Sequence, residues 1–121
     1  MRAKEFKMTE AKPKSITDDQ FEREVMRHQG ISVVDFWAPW CGPCIQMAPA
    51  LESFAASNAG NVSVYKLDVD ENPKTAERFE IRSVPTIIFF KDGQAQHISR
   101  GAMSAASLQN KLNELLSLSQ A

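Results

Sequence analysis

Cysteine is nearly absent from this chain: only Cys41 and Cys44 occur in 121 residues. A secreted scaffold held by cross-links would carry more of them, spread along the sequence. One close pair points instead to redox or metal chemistry. Charge of one sign is missing too. The 14 Lys and Arg against 15 Asp and Glu leave a formal net charge of −1, so nothing draws the chain as a whole to nucleic acid or to an anionic membrane. No apolar run approaches the roughly 20 residues of a membrane span. The stretch Met1-Arg2-Ala3-Lys4-Glu5-Phe6-Lys7 lacks an apolar segment and contains an acid, unlike a secretory signal or a typical transit peptide. The expectation is a cytoplasmic protein. No glycine-rich dinucleotide fingerprint occurs, so no bound cofactor is expected. What remains is ordinary for a globular chain, 43% hydrophobic and 24% charged, enough for one domain around one core.

Residues 1–14 mix Lys, Glu and Thr without periodicity and read as a flexible extension ahead of a domain over 15–121. Ser15-Ile16 suits a short edge strand. Thr17 with Gln20 forms a capping-box pattern ahead of a helix that buries Phe21 and Val25 and closes at Gly30. Ile31 to Trp37 is almost continuously apolar, as a central strand covered on both faces would be. A helix follows from about Cys41 to Ser57, with Met47, Leu51, Phe54 and Ala55 inward and Pro49 inside it. Val62 to Asp68 is a strand. Asn72 can cap a short helix starting at Pro73, with Ala76 and Phe79 inward. Thr86 to Phe90 is a buried strand, Asp92-Gly93 a hairpin turn and Gln94 to Ser99 the returning strand. Ser104 caps a last helix with Leu108, Leu112, Leu115 and Leu116 as its stripe. Strands alternating with helices predict an α/β domain whose mixed sheet is covered on both faces.

The stretch Trp40-Cys41-Gly42-Pro43-Cys44 stands where a strand hands over to a helix. A cysteine at a helix start faces unpaired N–H groups and the positive end of the helix dipole, which favour thiolate over thiol. With Cys41 as N-cap, Pro43 falls in the first turn, where its missing N–H had no partner anyway. The Cys44 N–H is then free to donate to the Cys41 sulfur, and the two sulfurs lie close enough to bond. The pattern reads as a dithiol–disulfide switch, beside two plainer alternatives. A structural disulfide closing so short a loop removes little chain entropy. A zinc site needs two more ligands, and His28 and His97 are far apart and not in paired spacing.

Other residues carry a plain reading and a functional one. Asp35 is a strand-edge acid, or a buried carboxylate among Val33, Val34, Phe36 and Trp37 and so a site candidate. Lys66 is a solvated strand residue or an adjunct to it. Trp37 reads as core and Trp40 as surface rim. Asp68, Asp70 and Glu71 lack the ligand spacing of a calcium loop and read as a solvated strand end and turn.

Val34 to Cys44 closely resembles the thioredoxin family. Further matches are Pro49, Lys66 to Asp70, Arg82-Ser83-Val84-Pro85-Thr86, Asp92-Gly93 and Gly101-Ala102. A lone C-x-x-C is weak evidence. WCGPC at a strand–helix junction with V-P-T before a later strand is strong. The resemblance covers the chain from Ser15 onward and implies a thioredoxin fold with a sheet of about five strands. It implies that Cys41 is the exposed nucleophile and Cys44 the buried resolving thiol. Asp35 would be the proton relay beneath Cys44 with Lys66 in support. Pro85, trans by default from its own chemistry, would be cis against the disulfide, with Val84 offering its backbone to a substrate strand. Trp40, Gly42, Pro43, Gly101 and Ala102 would form the substrate-binding rim. The implied activity is reduction of protein disulfides by a monomer recycled by a thioredoxin reductase, with no metal, membrane or nucleic-acid partner. A redox-independent binding subunit using the same rim is the competing function. Ile45, Pro39 and Arg100 depart from the commonest family pattern. Ile45 stands where many members carry Lys or Arg, which leaves a more apolar rim.

Overall fold

Strand β2 (Ile31–Trp37) runs through the centre of the molecule, and six of its seven residues are buried. The computed structural model describes residues 12–120. Along the chain β2 is preceded by β1 (Lys14–Ser15) and by helix α1, which is α-helical over Asp18–Phe21 and continues as a π-helical turn over Glu22–Met26. After it come α2 (Gly42–Ser57), β3 (Val62–Asp68), α3 (Pro73–Arg78), β4 (Thr86–Lys91), β5 (Gln94–Arg100) and α4 (Ala105–Gln120). The five strands form one mixed sheet in the order β1-β3-β2-β4-β5. Strand β3 pairs parallel with both β1 and β2, whereas β2–β4 and β4–β5 are antiparallel. The α/β sheet with helices on both faces is the expected architecture, in one domain.

Alternation along the strands divides the core in two. On one face Ile31, Val33, Val64, Ile87 and Phe89 meet Met47, Leu51, Phe54 and Ala55 of α2 and Leu108, Leu112 and Leu115 of α4. On the other, Val34, Phe36, Leu67, Ile88 and Phe90 meet Phe21 and Val25 of α1, with Phe79 and Ile81 packed beside them. Each such side chain, fully buried, contributes roughly 1.5–3 kcal/mol by leaving water. The rings of Phe21, Phe79 and Phe90 lie 5.5–5.9 Å apart in tilted and edge-on pairs.

Several local expectations match. β2 and β3 have the expected bounds, and Gln20 reaches back to the Thr17 N–H as a capping box requires. Ser104 Oγ accepts from the Ser107 N–H at 3.0 Å at the start of α4. Asp92 and Gly93 have φ of 50° and 81°, both positive as a type I′ hairpin demands. A Cβ on Gly93 would overlap the Met26 carbonyl, so the turn needs glycine there for space as well as for conformation.

Others are corrected. Gly30 does not close α1: the helix ends at Met26, and Gly30, at φ 102°, donates instead to Asp92 Oδ1 at 2.7 Å. Phe79 faces inward as expected, packed against Phe21, Phe36 and Phe90, whereas Ala76 is only half-buried and Thr75 is the buried residue within α3. The extension expected over 1–14 lies outside the described residues as far as residue 11. Lys14 already pairs with Tyr65 in β1.

Asn72 occupies the N-cap position of α3, but its side chain does not cap. Its Oδ1 accepts from the Asp18 N–H at 2.8 Å while its amide donates to the Asp68 carbonyl. The capping group comes from α1. Asp18 accepts from the Lys74 and Thr75 N–H groups at 3.1 and 2.8 Å and from the Thr75 hydroxyl at 2.6 Å. Burial opposes ionisation of Asp18, yet these hydrogen bonds and the Lys74 charge outweigh it and hold the carboxyl below its ordinary value. The stability it supplies is therefore present above the ordinary aspartate range and lost as pH falls through the depressed value. Asp18→Ala should destabilise the fold by roughly 1–2 kcal/mol, the usual worth of a lost cap. Urea unfolding at pH 7 checks this, and the deficit should shrink toward pH 3. An unchanged midpoint at pH 7 would refute the link.

Candidate active site

Strand β2 hands over to α2 through a tight turn. Ala38 is fully buried and its carbonyl accepts from the Cys41 N–H at 3.1 Å. Cys41 is the N-cap of α2 in extended conformation, with φ −87° and ψ 107°. Its sulfur accepts from the Cys44 N–H at 3.2 Å, so the helix start binds the sulfur as its spacing predicts. Pro43 lies in the first turn and Pro49 lies inside the helix without ending it.

Cys41 and Cys44 are joined by a disulfide, with Cα atoms 5.3 Å apart. Ala38 packs with them, flanked by Trp37, Val69 and Val84. One expectation is corrected here. Cys41 is no more exposed than Cys44: they are 3% and 4% accessible. In the closed pair the two sulfurs are bonded to each other, and Trp37, Val69 and Val84 pack against the cluster they form with Ala38. What distinguishes the two in this state is position at the helix terminus, not access.

Around the disulfide the surface is a rim. Trp40 and Ile45 are 70% and 59% exposed, and Gly42, Pro43 and Ala102 are also open to solvent. Trp40 is held in place: its indole N–H donates to Asp70 Oδ2 at 2.8 Å. The Val84–Pro85 bond is cis. The Gly101 N–H donates to the Pro85 carbonyl at 2.9 Å, bringing Gly101 and Ala102 to the same end of the sheet. Among the described residues neither the N–H nor the C=O of Val84 holds a backbone hydrogen bond. Two clefts on the described surface, about 580 and 460 Å³, include neither cysteine nor Val84 in their linings. The exposed Trp40, Gly42, Pro43, Ile45 and Ala102 give the disulfide an open rim that suits a macromolecular surface.

Asp35 is the buried acid of β2, 2% accessible. It shares the parity of Ile31 and Val33, so it points to the face that α2 covers. Its Oδ1 has no hydrogen-bond partner among the described residues. Lys66 lies beside it in the β2–β3 register, but its ammonium sits 4.3 Å above the Trp37 ring rather than on the carboxylate. Burial pushes the Asp35 carboxyl up from its ordinary 3.8 to about 6, and the Lys66 charge holds back part of the rise. Trp37, expected as plain core, is half-buried and serves as the platform for that cation.

Among the described residues no group of three His, Cys, Asp or Glu is placed to hold a metal, and no helix is long and apolar enough to cross a membrane.

The thioredoxin family model matches residues 12–114. The chain belongs to the thioredoxin family. It is 44% identical over 95 residues to a thioredoxin of Rhodospirillum rubrum, covering 78% of this chain and 91% of that one. It is 53% identical over 79 residues to a thioredoxin of Staphylococcus aureus (strain Mu50 / ATCC 700699), covering 65% and 74%. As in other thioredoxins, the Cys41–Cys44 couple makes the chain a thiol–disulfide oxidoreductase acting by dithiol–disulfide exchange.

Two contacts of this thioredoxin domain escape a reading of its sequence. Asp70 is an anchor for Trp40 rather than a merely solvated turn residue, and Asp68 Oδ1 accepts the Asp70 and Glu71 N–H groups. The available signal was indirect. Pairing Trp37 with Asp68 across parallel strands carries the next residues of both chains to one end of the sheet.

The raised Asp35 value fixes a sign. Between 3.8 and about 6 the folded chain keeps a proton that the unfolded chain has released. Stability therefore falls as pH rises through that window and levels off above it. The shift corresponds to roughly 3 kcal/mol at about 1.36 kcal/mol per pH unit. Asp35→Ala should raise stability by roughly 2–3 kcal/mol at pH 8, with most of the gain gone at pH 4. Urea unfolding at the two pH values checks this, and a variant less stable at both would contradict it.

Proposed function

We propose that this chain is a cytoplasmic, monomeric reductase of protein disulfides, recycled by a thioredoxin reductase. The observation that carries the reading is the Cys44 N–H donated to the Cys41 sulfur at the start of α2. That bond and the helix dipole stabilise a thiolate on Cys41 once the pair is reduced.

In this reading the Cys41 thiolate attacks one sulfur of a substrate disulfide. A mixed disulfide forms between Cys41 and substrate, and the other substrate sulfur leaves as thiolate. Cys44 then attacks the Cys41 sulfur, regenerating the Cys41–Cys44 disulfide and releasing the second substrate thiolate. Two electrons pass to the substrate, and the reductase restores the dithiol. Asp35, with an empty carboxylate oxygen and a value near neutrality, takes the Cys44 proton before that second attack. Lys66 supports it by its charge. Trp40, Gly42, Pro43, Val84, Pro85, Gly101 and Ala102 receive the substrate. The unpaired Val84 backbone is the natural partner for an extended substrate segment, because added main-chain hydrogen bonds bind without regard to sequence.

Turnover of insulin disulfides with dithiothreitol as electron donor tests the activity. A chain no faster than dithiothreitol alone would overturn it. In the reduced protein at pH 7, iodoacetamide should label Cys41 well before Cys44, read by peptide mass mapping, because the helix terminus lowers only the Cys41 pKa. Cys44→Ser should accumulate covalent mixed disulfides with substrates, since the resolving thiol is gone, visible on non-reducing gels. Equal labelling of the two thiols would refute the assignment of roles.

A further inference from the structure

We propose that Arg82 and Arg100 form a cationic flank of the docking rim that selects substrate disulfides with an acidic residue beside the attacked cysteine. The inference rests on the reductase reading above and adds the class of substrate.

Both side chains are exposed, and neither makes an ion pair or a side-chain hydrogen bond among the described residues. Arg78 is different, since it pairs with Glu22 and lies over the Phe21 and Phe79 rings. Topology brings Arg82 and Arg100 to the substrate edge. Arg100 ends β5 in register with Thr86, and the next residue donates its N–H to the Pro85 carbonyl. Arg82 is two residues ahead of Val84, in a loop pinned by the Thr86 hydroxyl on the Ser83 carbonyl at 2.7 Å. A segment laid along the free Val84 backbone therefore runs close to the chain positions of two arginines that make no ion pair among the described residues.

The acids of the rim lie on the other side. Asp68, Asp70 and Glu71 follow β3, which is three strands from the β5 that Arg100 ends and two from the β4 that Arg82 precedes, on the order of 14 and 10 Å at about 4.8 Å per strand. Asp70 accepts from Trp40, and Asp68 from two backbone N–H groups, so much of their hydrogen-bonding capacity is used within the chain. The arginines have theirs free. Guanidinium presents a planar fork that fits a carboxylate. Ile45, on the first turn of α2, brings no charge to the rim. The polarity of the surface is therefore set by Arg82 and Arg100 on one side and the acids on the other.

The test uses the full, dithiothreitol-reduced chain and two synthetic peptides. Each peptide contains one disulfide, with the attacked cysteine flanked by Glu in one and by Lys in the other. Each kcat/KM is divided by the rate constant for dithiothreitol alone, which removes intrinsic differences between the disulfides. An exposed ion pair is worth about a factor of two to five. The normalised ratio should therefore favour the Glu peptide on the order of tenfold at about 10 mM salt, and approach one at about 500 mM, where screening is strong. In an Arg82→Glu, Arg100→Glu double variant the ratio should invert. A ratio cancels any general loss of activity in the variant, and the wild-type salt dependence stands as a test without it. A wild-type ratio near one at low salt, or one unchanged in a folded double variant, overturns the proposal. Failure to reduce either peptide, or insulin, overturns the reductase reading and this inference with it.

Discussion

The register of β2 between β3 and β4 is the constraint on which the rest depends. A strand buried on both faces has no slack in pairing, because a slip of one residue would exchange its two sets of side chains. Here that slip would send Val34 and Phe36 toward α2 and drive Asp35 into the aromatic cluster of Phe21, Phe79 and Phe90. The observed register puts Asp35 toward α2, sets Lys66 beside it and ends at Trp37. The turn from Ala38 to Cys41 is then short enough that helix α2 begins on a sulfur. Redox couple, buried carboxylate and rim all follow from one pairing.

That arrangement stores a conflict which the rest of the core must carry. A carboxylate with an unpartnered oxygen in a face built from Val, Ile, Leu and Phe weakens the fold at neutral pH. Lys66 offsets only part of it, because its ammonium rests on Trp37. A design aimed at stability alone would place an apolar residue there. A buried group with a strongly perturbed titration at the end of a redox site is what proton transfer requires. The plain reading of Asp35 as a surface acid fails on its burial.

How much of this was legible depended on sequence distance. The sulfur at the start of α2 was readable because donor and acceptor are three residues apart and helix geometry fixes their relation. The bounds of β2 and β3 were readable from composition. The Asp92-Gly93 turn was readable because few residues accept positive φ twice in succession. The rest is held by distant partners. Asp18 caps a helix 57 residues away and Trp40 finds an acceptor 30 residues away, and no local pattern announces either. Asn72 looked like a cap because its type and position were right, but a stronger acceptor arrived from α1. The low exposure of Cys41 was missed for another reason: it belongs to the closed disulfide, and the motif alone does not tell which redox state the fold displays.

The π-helical turn over Glu22–Met26 has a consequence for how this protein can vary in length. Its wide loop holds one more residue than an α-turn would, and the Arg27 N–H closes it onto the Glu22 carbonyl at 3.0 Å. The Met26 carbonyl is thereby set against Gly93 at the tip of the β4–β5 hairpin. Losing one residue here would draw the wide turn back to an α-turn and change which of its side chains face inward, so that the burial of Val25 and the seat of Met26 against the hairpin both depend on the present count. Gly60 itself has no such neighbour, since a Cβ there meets nothing within 4 Å. Insertions and deletions in descendants of this chain should therefore collect near Gly60 and spare the first helix, so that the far end of the sheet keeps a fixed count of residues while its surface loops drift.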